Sequence, residues 1–342
     1  MKTIITMKTS IKMKTTRISI EDCAAFFLQS SESEKEKGFL LYTHASPDAD
    51  TLGSALALKA ALEDLGKKAF VINPDPVPAR LAFLTESEKI YKIPPKGRFF
   101  KVSVDIASPA MLSGMGEEYL KNLVFDLSID HHEINTVKTK KLLLLPDYPA
   151  TGEIIAELFK KLGVSYDKKT AFLLYAAISS DTGCFRYSST RPETMVTASE
   201  LMKTGIDFAK INRRIFERKT KGQLALEKNA YENLEFFFGG KVAVACLSES
   251  VTEQDFVELS DVENVNDIPR QQAGVEVSAL IRKNGGEVKV SLRSNDYYDV
   301  ASLAKEFGGG GHKHAAGCRF YTELTQAKDE ILARLKKDFE RD

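Results

Sequence analysis

From Gly38 to Leu145, short apolar runs alternate with stretches of helical period, the signature of a parallel sheet with crossover helices. The runs read GFLLYTH, KAFVIN, RFFKVSVDIA, NLVFDLSID and KKLLLLP. Between the first two, TLGSALALKAALEDLG sets Leu52, Ala55, Leu56 and Leu62 on one helical face and stops at Gly66, which predicts a βαβ unit with a glycine C-cap. Two further helices are predicted over 151–163 and 168–179, the second running at once into SSDTGCFRYSST.

After Pro192 the strand signals stop. The stretch to about Glu235 has mostly helical period and carries Lys210, Arg213, Arg214, Arg218, Lys219 and Lys221, either a solvated face or a basic wall toward a substrate. Beyond it, KVAVACL, VEVSALIRK and EVKVSLRS read as strands, with Asn284-Gly285-Gly286 as a hairpin turn. A helix DVASLAKEF, the run GGGGHKHAAG and an amphipathic final helix follow. The predicted class is α/β: a parallel sheet of five or more strands flanked by helices over 18–192, a helical connector over 193–235, and a smaller α+β domain with a mixed sheet over 236–342. Solenoid-type repeats are absent.

Composition narrows the partners. The 342 residues suffice for about two domains. Lys+Arg and Asp+Glu both number 48, so no global positive field draws in a long duplex or a membrane surface, and an anionic partner must be met locally. Cys23, Cys184, Cys246 and Cys318 lack CxxC spacing, which argues against a disulfide framework or a thiolate zinc site and fits a reducing cytoplasm. No apolar run reaches the roughly 18 to 20 residues that span a bilayer, so a soluble protein is expected. In the N-terminal MKTIITMKTSIKMKTTRI, Lys8, Lys12 and Lys14 interrupt any apolar core and no small-residue cleavage site follows; residues 1–17 read as a frayed extension rather than a signal peptide.

All five histidines sit in three short places: His44, the pair His131-His132, and His312 with His314. His44 ends a strand in THASPDADTLGSA, and the next loop supplies Asp48 and Asp50. Asp105 in VSVDIA and Asp130 in SIDHHEIN occupy the same strand-end position in their own βα units. In an open parallel sheet those ends share one edge, where such folds bind ligands. Carboxylates crowded there repel one another and raise their pKa values unless cations offset the charge. Mixed imidazole and carboxylate ligands suit a divalent first-row ion, with manganese, iron or cobalt favoured over zinc. Asp181, delivered by ISSDTG, is a further candidate. Taken singly, Asp48, Asp50 and Asp181 also read as helix caps.

His44-Ala-Ser-Pro-Asp48-Ala-Asp50, the strand-end Asp105, Asp130-His131-His132, Asp181 and GGGGHKHAAG together resemble the motifs of the DHH phosphoesterases with their associated C-terminal domain, over about 300 residues from Gly38. The resemblance implies one metal held by His44, Asp48 and Asp105 and a second held by Asp50, Asp105, His131 and Asp181. Manganese is the implied ion, with cobalt, iron or magnesium as alternatives. Asp130 is then expected to orient a metal-bound imidazole from behind, and His132 to face the phosphate and assist the leaving oxygen. Glycines Gly308, Gly309, Gly310 and Gly311 are expected to form an anion-binding nest. Arg293, Ser294 and His312 are expected beside it on the substrate's phosphate. His314 stands where the family pattern carries Asn.

The implied function is hydrolysis of short oligoribonucleotides and of 3′-phosphoadenosine 5′-phosphate, from either end, in a cleft between the two domains of a homodimer. Extra domains that grip long single strands are not expected. Alternatives are a linear or cyclic diadenylate phosphodiesterase, a manganese inorganic pyrophosphatase, which lacks the glycine run, and a nucleotide-binding regulator without turnover.

Overall fold

The computed structural model describes residues 14–30, 38–86, 88–257, 261–262 and 265–340. The chain divides into two compact units at Arg218–Lys219. Residues 1–13 of the expected N-terminal extension lie outside the described part. Its end is not an extension: Thr16–Arg17 (β1) pairs in parallel with Lys141 and Leu142.

In the first unit, the strands β2 (Phe39–Tyr42), β3 (Ala69–Ile72), β4 (Ile90–Tyr91), β5 (Phe100–Val104), β6 (Phe125–Asp130) and β7 (Thr139–Leu144) join β1 in one parallel sheet. The order is β1-β7-β6-β5-β2-β3-β4, seven strands where the pattern of apolar runs predicted five or more. Leu41 and Phe39 face one core and Leu40 and Tyr42 another, so both faces of β2 are dry. That explains why its apolar run shows no alternation. From β2 the chain moves outward to β3 and β4, then returns to β5 on the other side of β2 and continues to β6 and β7. The crossovers diverge between β2 and β5, which opens a crevice at the carboxyl ends of those strands.

The helices α1 (Ile20–Gln29), α2 (Ala49–Asp64), α3 (Glu117–Asn122), α4 (Thr151–Leu162) and α5 (Lys168–Asp181) complete this α/β layer structure. α1, which the sequence reading left unassigned, starts at a capping box of Ser19 and Asp22. α2 was expected to show one apolar face, yet Ala49 through Leu58 are all buried because the helix also packs against α5. Gly53 permits that approach: a Cβ there would stand 2.5 Å from the carbonyl oxygen of Leu173.

The predicted connector dissolves into both units. Pro192–Met202 and Phe208–Asn212 belong to the first, whereas the helix Lys221–Glu232 and a strand starting at Leu234 belong to the second. Several of its cations are engaged locally: Arg214 lies 3.7 Å from Glu86, Lys219 pairs with Glu227 at 2.5 Å, and Lys221 sits over the Phe256 ring.

The second unit holds β8 (Leu234–Phe237), β9 (Val242–Leu247), β10 (Val277–Asn284), β11 (Glu287–Ser294), β12 (Gly310–His312) and β13 (Ala315–Phe320) in the order β12-β13-β11-β10-β9-β8. β9 and β10 run parallel and the other neighbours antiparallel, which makes the sheet mixed. The turn at Gly285-Gly286 closes the β10–β11 hairpin. The helices Val300–Glu306 and Leu324–Phe339 cover one face, and Lys221–Glu232 covers the other at β9 and β10.

Candidate metal centre

Strand register brings the candidate ligands to one level. Tyr42 pairs with Ser103, so His44 and Asp105 each lie two residues past paired positions. Val104 pairs with Ile129, which sets Asp105 beside Asp130. Asp105 leaves its strand with φ of 61°, a left-handed conformation uncommon for a residue with a side chain. Such strain concentrates at functional sites.

His44 Nδ1 donates to the carbonyl of Ala45 at 2.8 Å, and His131 Nδ1 donates to the carbonyl of Tyr148 at 3.1 Å. A carbonyl only accepts, so both rings carry hydrogen on Nδ1 and present Nε2 to the site. Nε2 of His44 stands 3.5 Å from Asp48 Oδ2 and 3.6 Å from Asp105 Oδ2. Nε2 of His131 stands 3.6 Å from Asp105 Oδ1, 3.5 Å from Asp181 Oδ2 and 3.9 Å from Asp50 Oδ2. These separations are long for hydrogen bonds. They suit atoms that share an ion, since two ligands about 2.1 Å from one metal at a tetrahedral angle stand about 3.4 Å apart. Three groups have ligand atoms within 4.8 Å of one another: His44, Asp48 and Asp105; Asp50, His131 and Asp181; and Asp105, His131 and His132. Asp105 contributes one carboxylate oxygen toward each histidine.

The carboxylates carry the expected conflict. Burial, then the charges of Asp105 and Asp48, push Asp50 well above the usual carboxylate range. Burial, then Asp50, Asp48 and Asp105, do the same to Asp181, which also ends α5 where the helix dipole disfavours an anion. Burial opposes the ionised Asp48, but the neighbouring His44 imidazole brings it down to about 2. Burial likewise opposes a charged His44, and the neighbouring carboxylates of Asp105 and Asp48 outweigh it and hold the imidazole up at about 11. A centre that holds protons this tightly is one whose negative charge divalent cations would offset. The donor set therefore fits the two ions implied.

The cap reading of the aspartates is half right. Asp48 Oδ1 caps α2 through Thr51 N–H at 2.9 Å while Oδ2 turns toward His44. Asp50 caps a different helix: it accepts N–H bonds from Thr151 and Gly152 at the start of α4, at 2.7 and 2.8 Å, and a hydroxyl from Ser54 at 3.0 Å. Thr151 Oγ1 donates to Asp105 Oδ1 at 3.1 Å. Asn135 donates to Asp130 Oδ2 at 2.7 Å and to the Ile106 carbonyl at 2.8 Å. The sequence reading missed Ser54, Thr151, Gly152 and Asn135. Asn135 stood at the end of SIDHHEIN, and a helix start after Pro149 was a signal for Thr151.

One expected role changes. Asp130 does not orient His131; its Oδ1 binds Nδ1 of His132 at 2.7 Å, as well as the backbone N–H of His131 at 2.9 Å. Burial opposes charge on both partners, but the bond between them raises His132 and lowers Asp130 from their ordinary pKa values. His132 is thus fixed through Nδ1.

Residues 38–178 match the DHH family, N-terminal domain, and residues 239–341 match the DHHA1 domain. The chain is 31% identical over 304 residues to the bifunctional oligoribonuclease and PAP phosphatase NrnA of Thermus thermophilus, covering 87% of this chain and 89% of that protein. The chain belongs to the DHH family. An exopolyphosphatase-related protein from Bacteroides fragilis shares the fold with a TM-score of 0.80 at 23% identity, over 94% of this chain and 98% of the other. RecJ of Thermus thermophilus in complex with Mn2+ shares it with a TM-score of 0.52 at 14% identity, over 93% of this chain and 55% of that one.

The DHHA1 residues are arranged differently from expectation. Gly308 and Gly309 do not open into a nest: their N–H groups donate to the carbonyls of Lys305 and Ala304 and close the helix Val300–Glu306. Gly310 and Gly311 lie in the edge strand β12 with His312. Gly309 and Gly311 have a packing reason, since a Cβ would meet backbone of β13 at 2.1 and 2.5 Å. Arg293 is not an open fork: Nε lies 3.2 Å from Asp267 Oδ1 and Nη1 donates to the Leu292 carbonyl. Ser294 is buried, and its hydroxyl meets His314 Nδ1 at 2.9 Å. Register still unites part of the set. Arg293 and His312 both pair with Ala315, so all three project from one face of the sheet, with Gly310, Gly317 and Ser291 beside them on the same face. Small residues there stand between Arg293 and His312 on that face.

Proposed function

We propose that this DHH-family chain is a phosphoesterase that hydrolyses short oligoribonucleotides and 3′-phosphoadenosine 5′-phosphate, using two divalent ions, manganese before cobalt, iron or magnesium. The observation that carries the reading is the pair of ligand groups, His44 with Asp48 and His131 with Asp50 and Asp181, on either side of Asp105. The similarity to an oligoribonuclease and PAP phosphatase over most of both chains supports the substrate class. When bound, the ions supply Lewis acidity that activates water and offsets charge developing on the phosphoryl group. The chain's own contribution is positional. Thr151, Gly152 and Ser54 hold Asp50, Thr151 holds Asp105, and two backbone carbonyls aim His44 and His131. His132, anchored by Asp130, carries a proton at Nε2 for the leaving oxygen. Arg293 and His312 are assigned to the substrate's other phosphate, with Asp267 exchanged for the phosphate on Arg293.

The same reading makes the enzyme a cytoplasmic homodimer without membrane or long-duplex partners. Among the described residues no helix is long and apolar enough to cross a membrane, and the net charge of zero offers little counterion release on a long polymer. Incubation of the pure protein with manganese and labelled RNAs of two to five nucleotides, long RNA, 3′-phosphoadenosine 5′-phosphate, diadenylate and pyrophosphate tests it. Highest rates on the short RNAs and the bisphosphorylated nucleotide are expected. A preference for pyrophosphate or diadenylate overturns the substrate class, and binding without turnover makes the chain a regulator.

A further inference from the structure

Glu153 is a buried carboxylate in the first turn of α4 that contributes to none of the ligand groups. Arg191 Nη2 donates to it at 2.7 Å and Thr194 Oγ1 at 2.6 Å. The Arg191 guanidinium also lies over the Tyr148 ring, 4.2 Å from its centroid. Among the described residues its Nε is buried without a hydrogen-bond partner, so the stack and the bond to Glu153 set its plane. The hydroxyl of Tyr148 is tied in turn to Glu157. Tyr148 is therefore held at its ring and at its tip.

The backbone of that residue faces the metal centre. The Tyr148 carbonyl accepts His131 Nδ1, and three and four residues later Thr151 and Gly152 hold Asp50. Residues 148–152 form a bracket behind His131 and Asp50, and Arg191 is the side chain that clamps the bracket to α4. We propose that Arg191 is a positioning residue for the second metal site, the one formed by Asp50, Asp105, His131 and Asp181, and that it acts through the stack on Tyr148. The proposal rests on the two-ion reading above. The first site, built from His44, Asp48 and Asp105, takes no support from residues 148–152 except the hydroxyl of Thr151 on the shared Asp105.

Manganese titration of the metal-free full chain, read by electron paramagnetic resonance of the free ion, tests this. In a His44→Ala background the remaining tight site reports on the second group; in a His131→Ala background it reports on the first. Adding Arg191→Ala should weaken the ion about 10- to 100-fold in the first background, the usual effect of removing support behind a metal ligand, and less than about twofold in the second. Arg191→Lys keeps a cation for Glu153 and should still weaken the site, because an ammonium lacks the flat face that stacks on Tyr148. The double variant Arg191→Gln with Glu153→Gln removes the buried charge together with its partner and should not recover affinity. Equal losses in both backgrounds, full affinity in Arg191→Lys, or recovery in the double variant would each show that Arg191 only neutralises Glu153. Wild-type protein that binds fewer than two ions would instead sink the two-ion reading itself.

Discussion

Asp105 combines a strained backbone with the most shared side chain of the centre. Its φ of 61° costs on the order of 1 kcal/mol for a residue with a Cβ, and Ile129 and Thr151 lock it in place through backbone and hydroxyl bonds. Asp105→Ala is expected to abolish turnover while retaining a folded far-ultraviolet spectrum; near-normal activity in added manganese would contradict the shared role. Asp105→Gly should lose activity equally, yet unfold with about 1 kcal/mol more stability than Asp105→Ala in the metal-free state, because glycine relieves the left-handed strain. Denaturant melts of the two variants check this. His132→Ala should lose about 10²- to 10⁴-fold in kcat, the range for a general acid, while retaining the wild-type count of bound manganese. Parallel loss of metal would show that the histidine roles are exchanged. The clustering of the candidate ligands was legible because histidine and aspartate at consecutive strand ends have no packing explanation. The left-handed turn at Asp105 was not, since nothing in VSVDIA marks a positive φ.

At the scale of elements, the site depends on where α4 begins. Gly152 is the contact point: a Cβ there would lie 2.6 Å from Ala177 Cβ and 3.2 Å from Asp50 Oδ1. Gly152→Ala should cost about 1 to 3 kcal/mol as an overpacked substitution and also lower manganese affinity, because the added methyl presses on Asp50. Gly53→Ala crowds the Leu173 carbonyl instead, so it should cost a similar amount and leave metal affinity unchanged in the folded fraction. Calorimetric melting together with metal titration separates the two. The sequence revealed five strands of the central sheet through their apolar runs and α2, α4 and α5 through their period, but not β4, α1 or α3. It did not reveal β1, whose two residues gain meaning only from pairing with a strand more than a hundred residues away. Nor did it separate Gly308 and Gly309 from Gly310 and Gly311 within the glycine run. Gly308 and Gly309 carry an ordinary helix-stop signal, and an anion nest needs N–H groups that the helix Val300–Glu306 already uses.

For the whole molecule, the zero net charge and the two compact units frame the substrate. Binding is expected to rest on a few local contacts rather than on a broad field. If the second unit holds the distal phosphate, Arg293→Ala should raise KM for dinucleotides and 3′-phosphoadenosine 5′-phosphate about 10- to 150-fold, the equivalent of roughly 1.5 to 3 kcal/mol for a charge-assisted bond. Bis(p-nitrophenyl) phosphate, too small to need that contact, should be much less affected; equal losses on both would place Arg293 at the metal centre or in folding. The pairing of Arg293 with Asp267 could not be read from sequence, because the two residues lie 26 positions apart in different elements. The central claim is that two ions share Asp105, and anomalous diffraction from manganese-soaked crystals measures it directly. Two manganese peaks roughly 3.5 to 4 Å apart, with the Asp105 carboxylate between them and Nε2 of His44 and His131 on opposite sides, are predicted; a single peak, or two peaks without Asp105 in common, would contradict the account.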